Sequence, residues 1–177
     1  MTYTLEYSYV SGIVVPGAGF LLNNEMGDFN GKPGLTNTRG LIGTPPNVAE
    51  PGKRMLSSMS PTIVAKDGAL FMVTGSPGGR TIINTTLQTI LNVVDHGMNA
   101  QAAVDAGRIH HQWLPDRISY EAQLFSPDTV KLLEGMGHET RAQSRQGVAE
   151  VIVVSRETGV LEGGVDGRAP DGGAAGY

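Results

Sequence analysis

Ala69-Leu70-Phe71-Met72-Val73-Thr74-Gly75-Ser76-Pro77-Gly78-Gly79 is the stretch on which the reading of this chain turns. Its first half is strand-like, and Gly75-Ser76-Pro77 breaks it. From Arg80 to His96 the sequence then reads as a long amphipathic helix, with Ile83, Leu87, Ile90 and Val94 at helical spacing and Gly97 as the stop. A strand that turns through two glycines into a helix places backbone amides where helical N–H groups lack partners, so an anion or a developing oxyanion can be held there. Immediately upstream, Pro61 to Lys66 and Ala69 to Thr74 flank Asp67-Gly68, the strongest short hairpin signal in the chain.

Working outward, Thr2 to Val10 alternates as a strand with one buried face, and Ile13 to Val15 and Phe20 to Leu22 read as short strands. Residues 30–52 carry nine glycines and prolines, too many breakers for regular structure, and read as a lid-like loop. Asn99 is placed to cap a shorter helix ending near Gly107. Two strands follow, near Ile109 to Gln112 and Arg117 to Glu121. Ser126, Pro127 and Gly137 bound a third helix carrying Val130, Leu133 and Met136. Val148 to Ser155 and Val160 to Val165 form a closing hairpin around Thr158-Gly159, and the Gly-rich sequence from Gly163 onward, with 166–177 as its tail, has little apolar content to anchor it. Strands and helices segregate, so the expectation is an α+β fold with a mainly antiparallel sheet, one domain over 1–177.

The composition excludes several function classes. A formal charge of -4 offers no basic surface for nucleic acid, and zero cysteines remove disulfides and thiolate metal sites. His110 and His111 are neighbours on a strand and point to opposite faces, so they cannot share an ion. A metal role is not expected of them. No apolar run approaches the roughly 20 residues of a membrane span. Glycine, at 25 of 177 residues, is about twice its usual share and implies many tight turns.

Two polar clusters precede the glycine loop: Leu21-Leu22-Asn23-Asn24-Glu25-Met26-Gly27-Asp28-Phe29 and Lys53-Arg54-Met55-Leu56-Ser57-Ser58-Met59-Ser60-Pro61-Thr62. In this order and spacing the three clusters resemble the small subunit of gamma-glutamyltransferases, or glutathione hydrolases, of the N-terminal nucleophile hydrolase superfamily. The resemblance runs from Thr2 to Ala175-Gly176-Tyr177. It implies an αββα sandwich with mainly antiparallel sheets, shared with a large subunit cut from the same precursor, and a periplasmic or extracellular location. It also implies acyl transfer without a metal or organic cofactor: an N-terminal threonine attacks the gamma-glutamyl amide of glutathione, and water or an amino acid takes the acyl group. Family small subunits open with a Thr-Thr-His-like run upstream of the point matching Thr2, whereas this sequence starts Met1-Thr2-Tyr3-Thr4-Leu5. The 177 residues alone are therefore expected to be inactive, and to self-associate through exposed sheet edges or pair with a large subunit.

The same resemblance assigns residue roles. A gamma-glutamyl donor carries an α-ammonium, an α-carboxylate and an amide carbonyl. Glu25 and Asp28, three residues apart around Met26-Gly27, match positions that bind the ammonium; in isolation such a pair reads as surface acids. Ser57 and Ser58 match the paired serines that bind the α-carboxylate, although adjacent serines are ordinarily turn formers. Gly78 and Gly79 match the oxyanion-hole glycines. Thr4 matches a threonine that supports the nucleophile. Glu6 stands where many members have asparagine and adds a third acid at the ammonium end; Gly27 replaces a frequent aspartate; Arg39 lies where several bacterial members carry a lid tyrosine. Two other readings stay open: a non-catalytic fragment or pseudoenzyme acting as an interaction module, and a relative such as a cephalosporin acylase, which shares the fold and the glycines.

Overall fold

The computed structural model of the chain describes residues 11–30 and 45–176, which divide into two units, Met1–Met59 and Ser60–Tyr177. The expected strand from Thr2 to Val10 and residues 31–44 of the lid-like loop lie outside the described residues.

In the first unit the two short strands expected around Ile13 and Phe20 reduce to a single antiparallel bridge, Val14 with Leu21. The Val15 amide donates to Phe20 O at 2.9 Å and the Leu22 amide to Ile13 O at 2.9 Å. A single 3-10 turn, Glu25–Asp28, follows, then a second, Pro45–Asn47; a parallel bridge joins Asn30 to Val48.

The second unit holds seven strands and three α-helices among the described residues. β1 (Thr62–Lys66) and β2 (Ala69–Gly75) pair across the expected turn, where Asp67 at φ 51° and Gly68 at φ 77° both take the left-handed conformation that a two-residue hairpin demands. A 3-10 turn, Gly79–Thr81, leads into α1 (Ile82–Val94). α2 (Ala100–Asp105) is capped by Asn99, whose side chain accepts from the Ala102 amide at 2.8 Å. β3 (Ile109–His110) and β4 (Ile118–Glu121) come next. α3 (Pro127–Gly135) is capped by Ser126, and Gly137, at φ 95°, follows its end. β5 (Thr140–Gln143), β6 (Glu150–Val154) and β7 (Leu161–Val165) complete the unit.

The strands form one four-stranded sheet in the order β1-β2-β6-β7, antiparallel throughout, and one three-stranded sheet, β3-β4-β5, in which β4 and β5 run parallel. Met72, Val151 and Val153 on one face of the larger sheet pack with Val93 of α1, with Ala100, Ala103 and Val104 of α2, and with Ala149 as the core. β7 can lie close to α2 because Gly164 has no side chain: a Cβ there would stand 2.5 Å from Ala100 O.

Two differences from the sequence reading have physical causes. The residues Ile83, Leu87, Ile90 and Val94 define α1 correctly as a helix, but of the four only Ile90 packs on the core: Ile83 is 67% and Leu87 51% exposed, whereas Ile82, Thr85, Thr86, Thr89 and Val93 are buried. The helix carries apolar residues on both sides, so periodicity alone could not choose, and short threonines allow a closer approach to the chain packed beneath them. Secondly, the Gly-rich sequence after Gly163 is anchored by polar contacts, with Asp166 only 2% exposed.

The far face of the large sheet is also apolar. Ile63, Val73 and Ile152 are cross-strand neighbours on β1, β2 and β6, and all three are exposed. The exposed side of α1 adds a second apolar surface, and self-sufficient domains seldom leave patches of this kind uncovered. The isolated chain is therefore expected to bind a hydrophobic dye and to self-associate in light scattering. Ile63→Lys with Ile152→Lys should shift it toward monomer without lowering its melting temperature, whereas a strictly monomeric, dye-silent parent chain would contradict the reading.

Candidate functional site

Glu25 and Asp28 open and close one 3-10 turn of the first unit, so the peptide frame fixes their spacing. Asn23 Oδ1 accepts from the Glu25 amide at 3.2 Å, an Asx-type turn that starts the segment. Asn47 secures its end by donating to Asp28 O at 2.7 Å, and Asn30 N donates to Asn47 O at 2.8 Å. Glu25 is buried and Asp28 half-buried. Asp28 Oδ2 is out of contact with water and accepts no hydrogen bond from any described residue. A carboxylate oxygen in that condition costs about 1–3 kcal/mol unless a donor arrives from outside the chain.

Ser57 and Ser58 lie in a segment without regular structure, where Ser57 Oγ accepts from the Met59 amide at 3.3 Å. Lys53, in the same segment, donates to Val48 O at 2.9 Å. The other two residues singled out, Thr4 and Glu6, lie outside the described residues, as does Arg39.

In the second unit the chain leaves β2 at Gly75 and turns through Ser76 and Pro77 to Gly78 (φ 142°, ψ 16°) and Gly79 (φ 57°). Both glycines take positive φ, which any other residue would resist. Gly78 is also sterically required, since a Cβ would stand 2.7 Å from Thr81 Oγ1 and 3.2 Å from Gly147 Cα; Gly79 faces open space. Gly78 O accepts from the Thr81 amide at 3.1 Å and from Thr81 Oγ1 at 2.9 Å. Among the described residues neither the Gly78 nor the Gly79 amide donates a hydrogen bond. The sequence placed these amides at the head of a long helix; they head a single 3-10 turn that runs into α1.

Behind this turn lies a charge cluster that sequence reasoning missed. Arg108, at the start of the small sheet, donates through Nη2 to Asp166 Oδ2 at 2.7 Å and to Val104 O at 2.9 Å, and through Nη1 to Gln146 O at 2.8 Å. Arg168 grips both carboxylates: Nε reaches Glu121 Oε1 at 2.6 Å and Nη1 reaches Asp166 Oδ1 at 3.0 Å. Glu121 also accepts from the amides of Arg108 (3.0 Å) and Gln146 (2.8 Å), and Asp166 from the amide of Ala149 (2.6 Å). Arg108, Glu121, Gln146 and Asp166 are all at most 2% exposed. Burial pushes the Glu121 carboxyl up, but the Arg168 guanidinium and the two amides outweigh it, leaving it below its ordinary 4.5. Asp166 behaves likewise: burial is outweighed by the Ala149 and Arg168 amides and by Arg108, so it lies below 3.8. The members are far apart in sequence and follow no local pattern, and nothing in the sequence sets Arg108 and Arg168 apart from the other arginines.

His110 is buried at the end of β3 and His111, just past it, is exposed; both line one pocket with His138. Among the described residues no three metal-ligating side chains converge, and no helix is long and apolar enough to cross a membrane.

The profile of the family described as Gamma-glutamyltranspeptidase matches residues 1–177. The chain belongs to that family. The Glutathione hydrolase proenzyme of Escherichia coli K12 is 49% identical over 177 residues, all of this chain, which spans 30% of that relative's length. A gamma-glutamyltranspeptidase T380A mutant from Helicobacter pylori superposes with a TM-score of 0.85 at 47% identity, covering 96% of this chain and 92% of that one. A cephalosporin acylase from Bacillus halodurans is more distant, with a TM-score of 0.76 at 29% identity over 94% of this chain and 29% of its own. The gamma-glutamyltranspeptidase likeness makes the fold that of an N-terminal nucleophile hydrolase, α+β with mainly antiparallel sheets. The Escherichia coli relative is named a proenzyme, and this chain spans less than a third of its length.

The charge cluster sets the acid limit of the second unit. Both carboxyls lie below their unfolded values of about 4.3 and 3.9, so their stabilisation is complete above about pH 5 and is lost as pH falls through the lower folded values. The urea midpoint should be flat from pH 7 to 5 and drop below pH 4, with a shallower drop in Glu121→Gln. At pH 7, Glu121→Ala should cost about 3–5 kcal/mol by stranding buried guanidinium charge; a loss under 1 kcal/mol would refute the clamp.

Proposed function

We propose that this chain is the small-subunit portion of a glutathione hydrolase, working as one domain over 1–177 to supply donor recognition and oxyanion stabilisation. The observation that carries the reading is the pair of consecutive glycines, Gly78 and Gly79, at positive φ and with amides that donate to no described residue. In the proposed reaction the hydroxyl of the N-terminal threonine that opens family small subunits attacks the gamma-glutamyl carbonyl. Its proton passes to the threonine's own amine, and the carbonyl oxygen gains negative charge. The Gly78 and Gly79 N–H groups meet that charge; such a donor is typically worth about 2.7–4 kcal/mol in the transition state. The C–N bond then breaks, the leaving amine takes the proton, and water or an amino acid releases the glutamyl ester.

Glu25 and Asp28 bind the donor's α-ammonium in this scheme, with Glu6 as a third acid, Ser57 and Ser58 bind its α-carboxylate, and Thr4 supports the nucleophile. The unsatisfied Asp28 Oδ2 supports the assignment, because a charged donor would remove its desolvation cost. The large subunit of the same precursor is the proposed partner, and a periplasmic or extracellular location accompanies it. No cofactor enters the scheme.

The likeness to the cephalosporin acylase keeps one alternative in view, an amidohydrolase that does not read a free α-amino acid. Kinetics on the two-subunit enzyme, carrying this chain behind its threonine segment, separate the two. Asp28→Ala should lower kcat/KM for a gamma-glutamyl anilide by about 1.5–3 kcal/mol, and an acyl anilide without the ammonium should be a far poorer substrate. Equal turnover of the two anilides by the parent enzyme would favour the acylase reading.

A further inference from the structure

We propose that Ser76 and Thr81 are positioning residues that aim the two oxyanion-binding amides, an inference resting on the role assigned above to Gly78 and Gly79. A peptide unit is planar, and in the trans form its C=O and N–H point in opposite directions, so fixing the carbonyl fixes where the N–H points. The N–H of Gly78 shares a peptide with Pro77 O. That oxygen accepts from Ser76 Oγ at 2.6 Å. The N–H of Gly79 shares a peptide with Gly78 O, which accepts from Thr81 Oγ1 at 2.9 Å and from the Thr81 amide at 3.1 Å. Both peptides are trans. Each amide is therefore held from behind by one hydroxyl, while its own hydrogen stays available.

The two hydroxyls are not equally supported. Thr81 Oγ1 also receives help from its own backbone, whereas Ser76 depends on a second loop. Ser76 Oγ accepts from the Val148 amide at 3.1 Å, which orients its hydrogen toward Pro77 O. Gly147, at φ 61°, lies against the same oxygen: a Cβ there would stand 2.9 Å from Ser76 Oγ and 2.7 Å from Thr85 Oγ1. The flanks of this loop are tied to the charge cluster, at Gln146 through Glu121 and Arg108 and at Ala149 through Asp166. A path of hydrogen bonds thus runs from buried carboxylates to the direction of one amide.

The test uses the full two-subunit protein with 15N-labelled glycine. Ser76→Ala and Thr81→Val should each move the Gly78 or Gly79 amide resonance, and lower kcat for a gamma-glutamyl anilide by about tenfold to a hundredfold, the scale of a small misplacement in an active site. KM and the inhibition constant of free glutamate should stay within about twofold, since neither hydroxyl belongs to the donor-binding set. Thr81→Ser, which keeps the hydroxyl, should recover most of the loss. Ser76→Cys, similar in shape but a weak donor, should fall between parent and Ala, and serves where Ser76→Ala fails to mature. Unmoved amide resonances in Ser76→Ala and Thr81→Val would overturn the aiming role. Moved resonances with unchanged kcat would instead overturn the oxyanion assignment on which it rests.

Discussion

Two guanidinium groups, Arg108 and Arg168, and two carboxylates, Glu121 and Asp166, share an interior from which water is nearly excluded, and the second unit is arranged around satisfying them. Each ion would be costly to bury alone, and the four sum to zero charge. Their remaining donors and acceptors are taken up by backbone. Val104 O and Ala106 O at the end of α2 receive guanidinium N–H groups, the favourable charge sign for a helix C-terminus. The amides of Gln146 and Ala149 meet carboxylate oxygens. Because Glu121 ends β4 of the small sheet and Asp166 follows β7 of the large one, the cluster joins two sheets that share no strand.

A polar clamp at this place suits a site that needs rigid backbone. The glycine turn gains little from apolar packing: Gly78 and Gly79 are exposed and have no side chains to bury. What limits their freedom is contact with Gly147 and the hydrogen bonds of Ser76 and Thr81, and the clamp fixes both ends of the segment carrying Gly147. An acceptor such as Asp28 Oδ2 is costly to leave unsatisfied, and under the proposed function the surrounding fold bears that cost to keep it for a ligand.

Most of the fold was legible because most of its punctuation is local. Asp67-Gly68 dictates its hairpin, Asn99 and Ser126-Pro127 their helix starts, and Gly137 an end, each by chemistry confined to a few residues. β5, Thr140–Gln143, was not legible: Thr-Arg-Ala-Gln lacks alternation, and the strand owes its existence to parallel pairing with β4. The buried face of α1 was illegible for a related reason, since partners elsewhere in the chain decided between two apolar sides. The candidate site divides the same way. Gly78, Gly79, Glu25 and Asp28 stood out as short strings, whereas Ser76 and Thr81 looked like ordinary turn residues and the charge clamp is visible only once residues far apart in sequence are brought together.

The strand order β1-β2-β6-β7 has a consequence for how the chain comes to be folded. Each outer pair is a hairpin closed by a short connection, and hairpins of that kind form within about 1–10 μs. The junction between them is different: Thr74 meets Glu150 across 76 residues. Arg168 meets Glu121 across 47. Such closures are slow because chain entropy is lost before the contact rewards it. On the ribosome, where the N-terminal side emerges first, β2 waits with Phe71, Met72 and Val73 along an open edge until β6 has been made. That interval of synthesis exposes an apolar, unpaired strand, and is when a molecular chaperone would have most to protect.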